Sequence, residues 1–159
     1  MNIGQDDPRL QILILGLGNL LMTDDGIGIF VLEELQKLEW PPEVQLLEVG
    51  TSVFYYLAEI SRSRHVIAID AIRAGDSPGS VYCLGIDDVL DHKEQDLHDM
   101  SLPGVIRQAQ NITGLPETLT IYGVEPADID LGVTPTSALQ QAGKRLVALI
   151  TAEIQRLLG

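Results

Sequence analysis

Three short apolar runs most constrain this chain: Leu10-Gln-Ile-Leu-Ile-Leu15, Val66-Ile-Ala-Ile69 and Leu119-Thr-Ile-Tyr-Gly-Val124. Each is short for a helix, and the first two are too uniformly apolar to show one wet face. That is the pattern of strands buried on both faces. Stretches with helical spacing lie between them. Ile27, Val31, Leu32, Leu35 and Leu38 share one face of a helix expected over residues 27–38. A second helix is expected over 53–61, capped by Thr51 or Ser52, and a third over 102–111 with Val105, Ile106 and Ala109 inward. The last begins after Thr134-Pro135, with Thr134 as cap and Pro135 as first helical residue, and carries Leu139, Ala142, Leu146, Leu149, Ile150 and Leu157.

Two further strands complete the pattern. Val44-Gln-Leu-Leu-Glu48 follows the break at Trp40-Pro41-Pro42. Residues 80–86 alternate like an edge strand after the Asp76-Ser-Pro-Gly79 turn, and that short connection predicts an antiparallel strand. Residues 87–100 read as an acidic loop with room for one helical turn. The order β-α-β-α-β-β-α-β-α predicts an α/β fold, its mainly parallel sheet covered on both faces. A chain of 159 residues without linkers or repeats is expected to form one domain over 10–159, after a flexible tail over 1–9.

Composition removes several functions. The net charge is −13, which opposes sequence-independent nucleic-acid binding, because that depends on neutralising phosphates. No apolar run approaches the roughly 20 residues of a membrane span. The N-terminus is polar and acidic rather than signal-like. A single cysteine, Cys83, excludes an internal disulfide and fits a reducing cytoplasm; it is expected to be a buried structural thiol.

The chemistry is expected in the loop Gly16-Leu-Gly-Asn-Leu-Leu-Met-Thr-Asp-Asp-Gly-Ile-Gly28, between the first strand and the first helix. Ligands bind at such places in open α/β sheets. The loop fails the dinucleotide pattern, since Leu21 stands at the third glycine position, and it lacks the Gly-Lys-Ser/Thr ending of a phosphate loop. Its aspartates would repel a phosphate and suit a metal ion or water. Asp25 closes this loop. Asp70 ends a buried strand where no apolar packing explains it. His98 lies in the long acidic loop. Two carboxylates and an imidazole would suit a borderline divalent ion such as nickel or zinc. Each residue also has a plainer reading: helix capping for Asp24 or Asp25, a tight turn for Asp70, solvation for His98 and His92, and the start of a strand for His65.

The same residues resemble a known family. Gly16–Gly28 is similar to the opening motif of the hydrogenase maturation proteases, which process the large subunit of nickel-iron hydrogenases. Val66 to Ala71 resembles their apolar strand ending in Asp-Ala, and Pro78-Gly79 follows at the matching place. Tyr122-Gly-Val-Glu-Pro126 and Gly132-Val-Thr-Pro135 resemble the closing strand and the approach to the last helix.

The resemblance implies a three-layer α/β/α sandwich around a five-stranded sheet. It implies metal binding by Asp25, Asp70 and His98. It implies removal of a C-terminal extension from a nickel-loaded large-subunit precursor, the nickel being carried by the substrate, with no organic cofactor. Gly16, Gly18, Asn19, Asp24, Glu48 and Thr51 are expected around the cleft, with amides of the Gly16–Gly18 segment available for developing negative charge. Where the family often reads Asp-Gly-Gly-Thr, this chain has Glu48-Val49-Gly50-Thr51. A cytoplasmic monomer is expected, with the precursor as partner and neither nucleic acid nor membrane insertion. Two alternatives stay open: a metal-independent aspartic dyad, and a module that binds metal or precursor without cutting.

Overall fold

The structure is a computed structural model that describes residues 10–90 and 101–159. Five strands form one sheet: β1 (Leu10–Leu17), β2 (Val44–Gly50), β3 (Ser63–Ala71), β4 (Val81–Gly85) and β5 (Thr118–Val124). Their spatial order is β2-β1-β3-β5-β4. All pairings are parallel except that of β4 with β5, which is antiparallel and places β4 at the edge.

Alternation along the strands builds two cores. Ile12 and Ile14 of β1, with Ile67 and Ile69 of β3, face α1 (Ile27–Gln36) and α5 (Ser137–Leu158). Leu13 and Leu15, with Val66 and Ala68, face α2 (Leu57–Ser61) and α4 (Leu102–Thr113). The expected three layers are therefore present. Burial of both strand faces explains why the runs carry no polar alternation. A short α3 (Ile86–Leu90) takes Ile86 from the expected edge strand and supplies a helical turn where the acidic loop begins.

Two glycines of the first loop serve packing. A Cβ on Gly16 would stand 2.9 Å from the Gly28 carbonyl oxygen and 3.0 Å from the Leu32 Cβ. One on Gly28 would stand 2.2 Å from the Ile69 oxygen and 2.3 Å from the Leu17 oxygen. Their missing side chains let α1 ride directly on β1 and β3, which fixes where the loop between them emerges.

Several boundaries differ from expectation. α1 ends at Gln36 and Leu38 is exposed. The Lys37 N–H bonds to the Glu34 oxygen, while the Trp40 indole N–H donates to the Leu35 carbonyl at 2.8 Å. The tryptophan thus takes up a carbonyl that a longer helix would use. Residues 53–61 divide into a 3-10 turn over Val53–Tyr56 and the one-turn α2. The cap of α5 is Thr136, not Thr134. Cys83 is exposed rather than buried, because its strand is the outer one and its faces are incompletely covered.

Candidate functional site

The carboxyl ends of β1 and β3 deliver the two expected aspartates to one place. Asp25 sits in a 3-10 turn over Thr23–Gly26 that leads into α1. Asp70 is the penultimate residue of β3. Gly18 lies between them: a Cβ there would stand 2.0 Å from the Asp25 carbonyl oxygen and 3.4 Å from Asp70 Oδ1. Its φ of +112° is also one that glycine adopts with least strain.

Among the described residues, each aspartate is held by one hydrogen bond. The Asn19 N–H donates to Asp25 Oδ2 at 2.9 Å, and the Ala71 N–H donates to Asp70 Oδ1 at 2.8 Å. One oxygen of each is thereby oriented. The other has no hydrogen-bond partner among the described residues. Burial pushes the Asp70 carboxyl up to about 7; the Ala71 N–H opposes that rise and the charge of Asp25 adds to it.

The capping reading does not hold for either loop aspartate, since Gly26 caps α1 with no side-chain hydrogen bond. Asp24 is 0% exposed. Its Oδ2 accepts from the N–H groups of Ala127 (2.8 Å) and Asp128 (3.0 Å) and from Thr136 Oγ1 (2.9 Å). Its Oδ1 accepts from the Thr136 N–H at 2.7 Å. Asp24 therefore ties the loop after β5 to the loop after β1 and cannot line a cleft.

The other expected cleft residues are distributed as follows. Gly16 is inside the sheet, paired with Glu48 on one side and Ile69 on the other. The Gly18 N–H donates to the Gly50 oxygen at 2.9 Å, and the Leu21 N–H to Asn19 Oδ1 at 3.0 Å. With the Asn19 N–H on Asp25, the loop amides at 18, 19 and 21 are all engaged, which removes them as free donors for developing negative charge. Glu48 and Thr51 are exposed beside this loop, and Val49 is buried in the core under α2.

His98 and His92 lie outside the described residues. Among the described residues, no group of three or more His, Cys, Asp or Glu side chains is placed to hold a metal ion. His65 is buried at the amino-terminal end of β3, with Nδ1 2.7 Å from Thr118 Oγ1, away from this edge.

One residue went unread in the sequence. Glu125, at the end of β5, is buried, and its Oε1 accepts from the N–H groups of Ala74 (2.9 Å) and Asp76 (2.8 Å) and from the Tyr82 hydroxyl (2.8 Å). Burial alone would raise its carboxyl, but these bonds and one from Gly75 outweigh burial and hold it below the usual range. It clamps the loop that follows Asp70. The signal was there, since a carboxylate ending an apolar strand is the same feature that singled out Asp70.

The family model described as hydrogenase maturation protease matches residues 29–153. That span contains Asp70 and begins just after the loop that carries Asp25. The chain is 32% identical over 133 residues to the hydrogenase 2 maturation protease of Escherichia coli (strain K12), covering 80% of this chain and 81% of that protein. It is 31% identical over 124 residues to the hydrogenase expression/formation protein HupD of Rhodobacter capsulatus, covering 76% of this chain and 59% of that one. It thus spans about three fifths of the length of that relative. Among solved structures, the hydrogenase maturating endopeptidase HybD from E. coli superimposes with a TM-score of 0.83 at 26% identity, covering 92% of this chain and 93% of that one. The [NiFe] hydrogenase maturation protease HycI from Thermococcus kodakarensis KOD1 gives 0.76 at 27% identity, covering 89% and 90%.

Proposed function

We propose that this chain, which belongs to the hydrogenase maturation protease family, is an endopeptidase acting on a hydrogenase large-subunit precursor. Its substrate is the nickel-loaded precursor, and its product is the same subunit without its C-terminal extension. One observation carries the reading: Asp25, in the turn before α1, and Asp70, at the end of β3, flank Gly18 with one oxygen each left free of partners among the described residues.

In this reading, Asp25 and Asp70 grip the nickel of the precursor together with His98. The Asn19 and Ala71 amides hold the carboxylates in orientation. Gly18, lacking a side chain, lets the Asp25 backbone pack directly against the β1 end beside Asp70. Holding the metal positions the adjacent scissile peptide, and a metal-polarised carbonyl or water is the chemistry such a site supplies. The reaction takes place in the cytoplasm on a monomeric enzyme without an organic cofactor. No helix among the described residues is long and apolar enough to cross a membrane.

A second reading has its own support. Asp70, pushed up to about 7 chiefly by burial with a smaller contribution from Asp25, can hold a proton near neutral pH, as one member of an aspartic dyad must. Incubating the protein with nickel-loaded and nickel-free precursor separates the readings by mass. Cleavage of the loaded form alone, lost in Asp25→Asn and His98→Ala variants that still fold, is expected. Equal cleavage of both forms, or full activity in His98→Ala, would move the reaction to the dyad. Binding without any cleavage would leave a non-proteolytic module.

A further inference from the structure

The loop after β5 holds apolar side chains in solvent beside the aspartates. Leu131 is 82% exposed and Val133 65%; across from them Leu21 is 61% and Leu20 37% exposed. They are held in register. The Gly132 N–H donates to the Leu21 oxygen at 2.9 Å and the Thr23 N–H to the Gly132 oxygen at 2.7 Å, which pairs Gly132 with Met22 as a single parallel bridge. Leu131 and Val133 stand immediately on either side of that bridge, both in solvent. Thr23 Oγ1 adds two bonds, donating to the Asp128 oxygen at 2.9 Å and accepting from the Asp130 N–H at 3.0 Å. The buried Asp24 anchors both ends of the segment, at Ala127–Asp128 and at Thr136. Considerable bonding therefore fixes a segment whose apolar side chains contribute little to the core. Exposed apolar groups kept in place this way are characteristic of interaction surfaces.

The surroundings select the occupant. Leu20 and Leu21 belong to the turn that the Asn19 N–H closes on Asp25 Oδ2 at 2.9 Å, so the patch adjoins Asp25. Its neighbours Asp128 and Asp130 are exposed, as are Glu48 near the end of β2 and Asp76 in the loop after β3; Arg73 is the cation of these segments among the described residues. A second copy of this chain would bring a like-charged rim against this one, which disfavours self-association. We propose that Leu20, Leu21, Leu131 and Val133 dock the stretch of precursor polypeptide next to the scissile bond, an apolar segment flanked by Lys or Arg. This rests on the endopeptidase reading and adds the surface that selects the precursor as a polypeptide, apart from its metal.

The test uses the full chain and nickel-loaded precursor. Leu131→Ser with Val133→Ser, and separately Leu21→Ser, should raise KM tenfold or more, with kcat within twofold and an unchanged thermal melt. Leu149→Ser, on an exposed apolar residue of α5, should leave all three unchanged. The wild-type KM should rise between 50 and 500 mM salt. Unchanged KM in the double variant overturns the docking surface, and a salt-independent KM overturns its preference for a cationic segment. A wild-type dimer dispersed by the double variant also overturns it, assigning the patch to copies of this chain. If the wild type cleaves no precursor, the endopeptidase reading fails by itself. Direct binding then decides the surface: a tenfold weaker Kd for the double variant supports it, and an equal Kd overturns it.

Discussion

Asp24 and Glu125 differ from Asp25 and Asp70 in what their oxygens meet, although all four end strands or loops at the same edge of the sheet. Asp24 accepts four hydrogen bonds, and Glu125 three through one oxygen. Asp25 and Asp70 accept one each among the described residues. Donors stabilise the charged form, so Glu125 is held below the usual carboxylate range. Asp70, desolvated with one donor, is pushed up to about 7. Burial alone does not separate these two kinds of carboxylate; the number of donors aimed at each does. The anchors hold the loops on which the other pair is presented.

The largest expected effect that sharpens this contrast is at Asp24. Asp24→Ala leaves three backbone N–H groups and a hydroxyl without their acceptor. Charge-assisted bonds of this kind contribute more than neutral ones, and a loss of about 3 kcal/mol or more is expected. For a chain of this size that lowers Tm by roughly 6–12 °C. Asp24→Asn is expected to destabilise too, because whichever way its amide turns, the NH2 faces a donor: the Thr136 N–H at the Oδ1 position or the three donors at Oδ2. Asp25→Asn should melt like the wild type. A calorimetric scan of the three variants checks this. A stable Asp24→Ala would dissolve the distinction between the two pairs.

The layered fold was legible because burial on both faces leaves an unmistakable mark on β1 and β3, and because Pro78-Gly79 signals the reversal into β4. Helix ends were less legible. The stop of α1 depends on the Trp40 indole meeting the Leu35 carbonyl, a contact that spacing does not encode. The site was legible in its positions, Asp25 and Asp70, since both stand where strands hand over to loops. The division of labour between Asp24 and Asp25 was not. The partners of Asp24 are 103 to 112 residues away in sequence, so adjacency suggested a local cap where a long-range tie exists. Cys83 misled for a related reason: free cysteines are generally buried, but this one lies on an outer strand.

The second prediction concerns pH. The Asp70 carboxyl rises from 3.8 in its ordinary state to about 7 on folding. A raised carboxyl binds its proton more tightly in the native state. Its contribution to stability therefore falls as pH rises from about 4 to about 7 and is fully unfavourable above that. Asp70→Asn removes the charge while keeping an oxygen for the Ala71 N–H. Because Asp70 keeps some solvent contact, the expected gain above pH 7 is about 2 kcal/mol, smaller than the full shift would imply. Below pH 4 the gain should vanish. Urea unfolding at pH 4 and pH 8 measures both values. A variant less stable than the wild type at pH 8 would place Asp70 among the anchors and break the comparison.

The smallest expected effect falls on a single bond of the anchor. Thr136→Val replaces a hydroxyl by a methyl of similar size and removes the donor to Asp24 Oδ2 at 2.9 Å, while the Thr136 N–H still bonds Oδ1 at 2.7 Å. Three of the four donors to Asp24 remain, so the loss should be about 1 kcal/mol, or roughly 2–4 °C in Tm. Thr134→Val is the matched change two residues earlier, on an exposed residue outside the anchor, and should be neutral within about 0.5 kcal/mol. The pair also decides what Thr136 does at the start of α5, where its side chain gives no capping bond to the helix. If the hydroxyl serves Asp24, Thr136→Val and Asp24→Ala should be strongly non-additive, since the second change removes the partner of the first. Additive losses in the double variant would mean that the hydroxyl stabilises the helix start independently, and that the tie between the two loops is made by backbone amides alone.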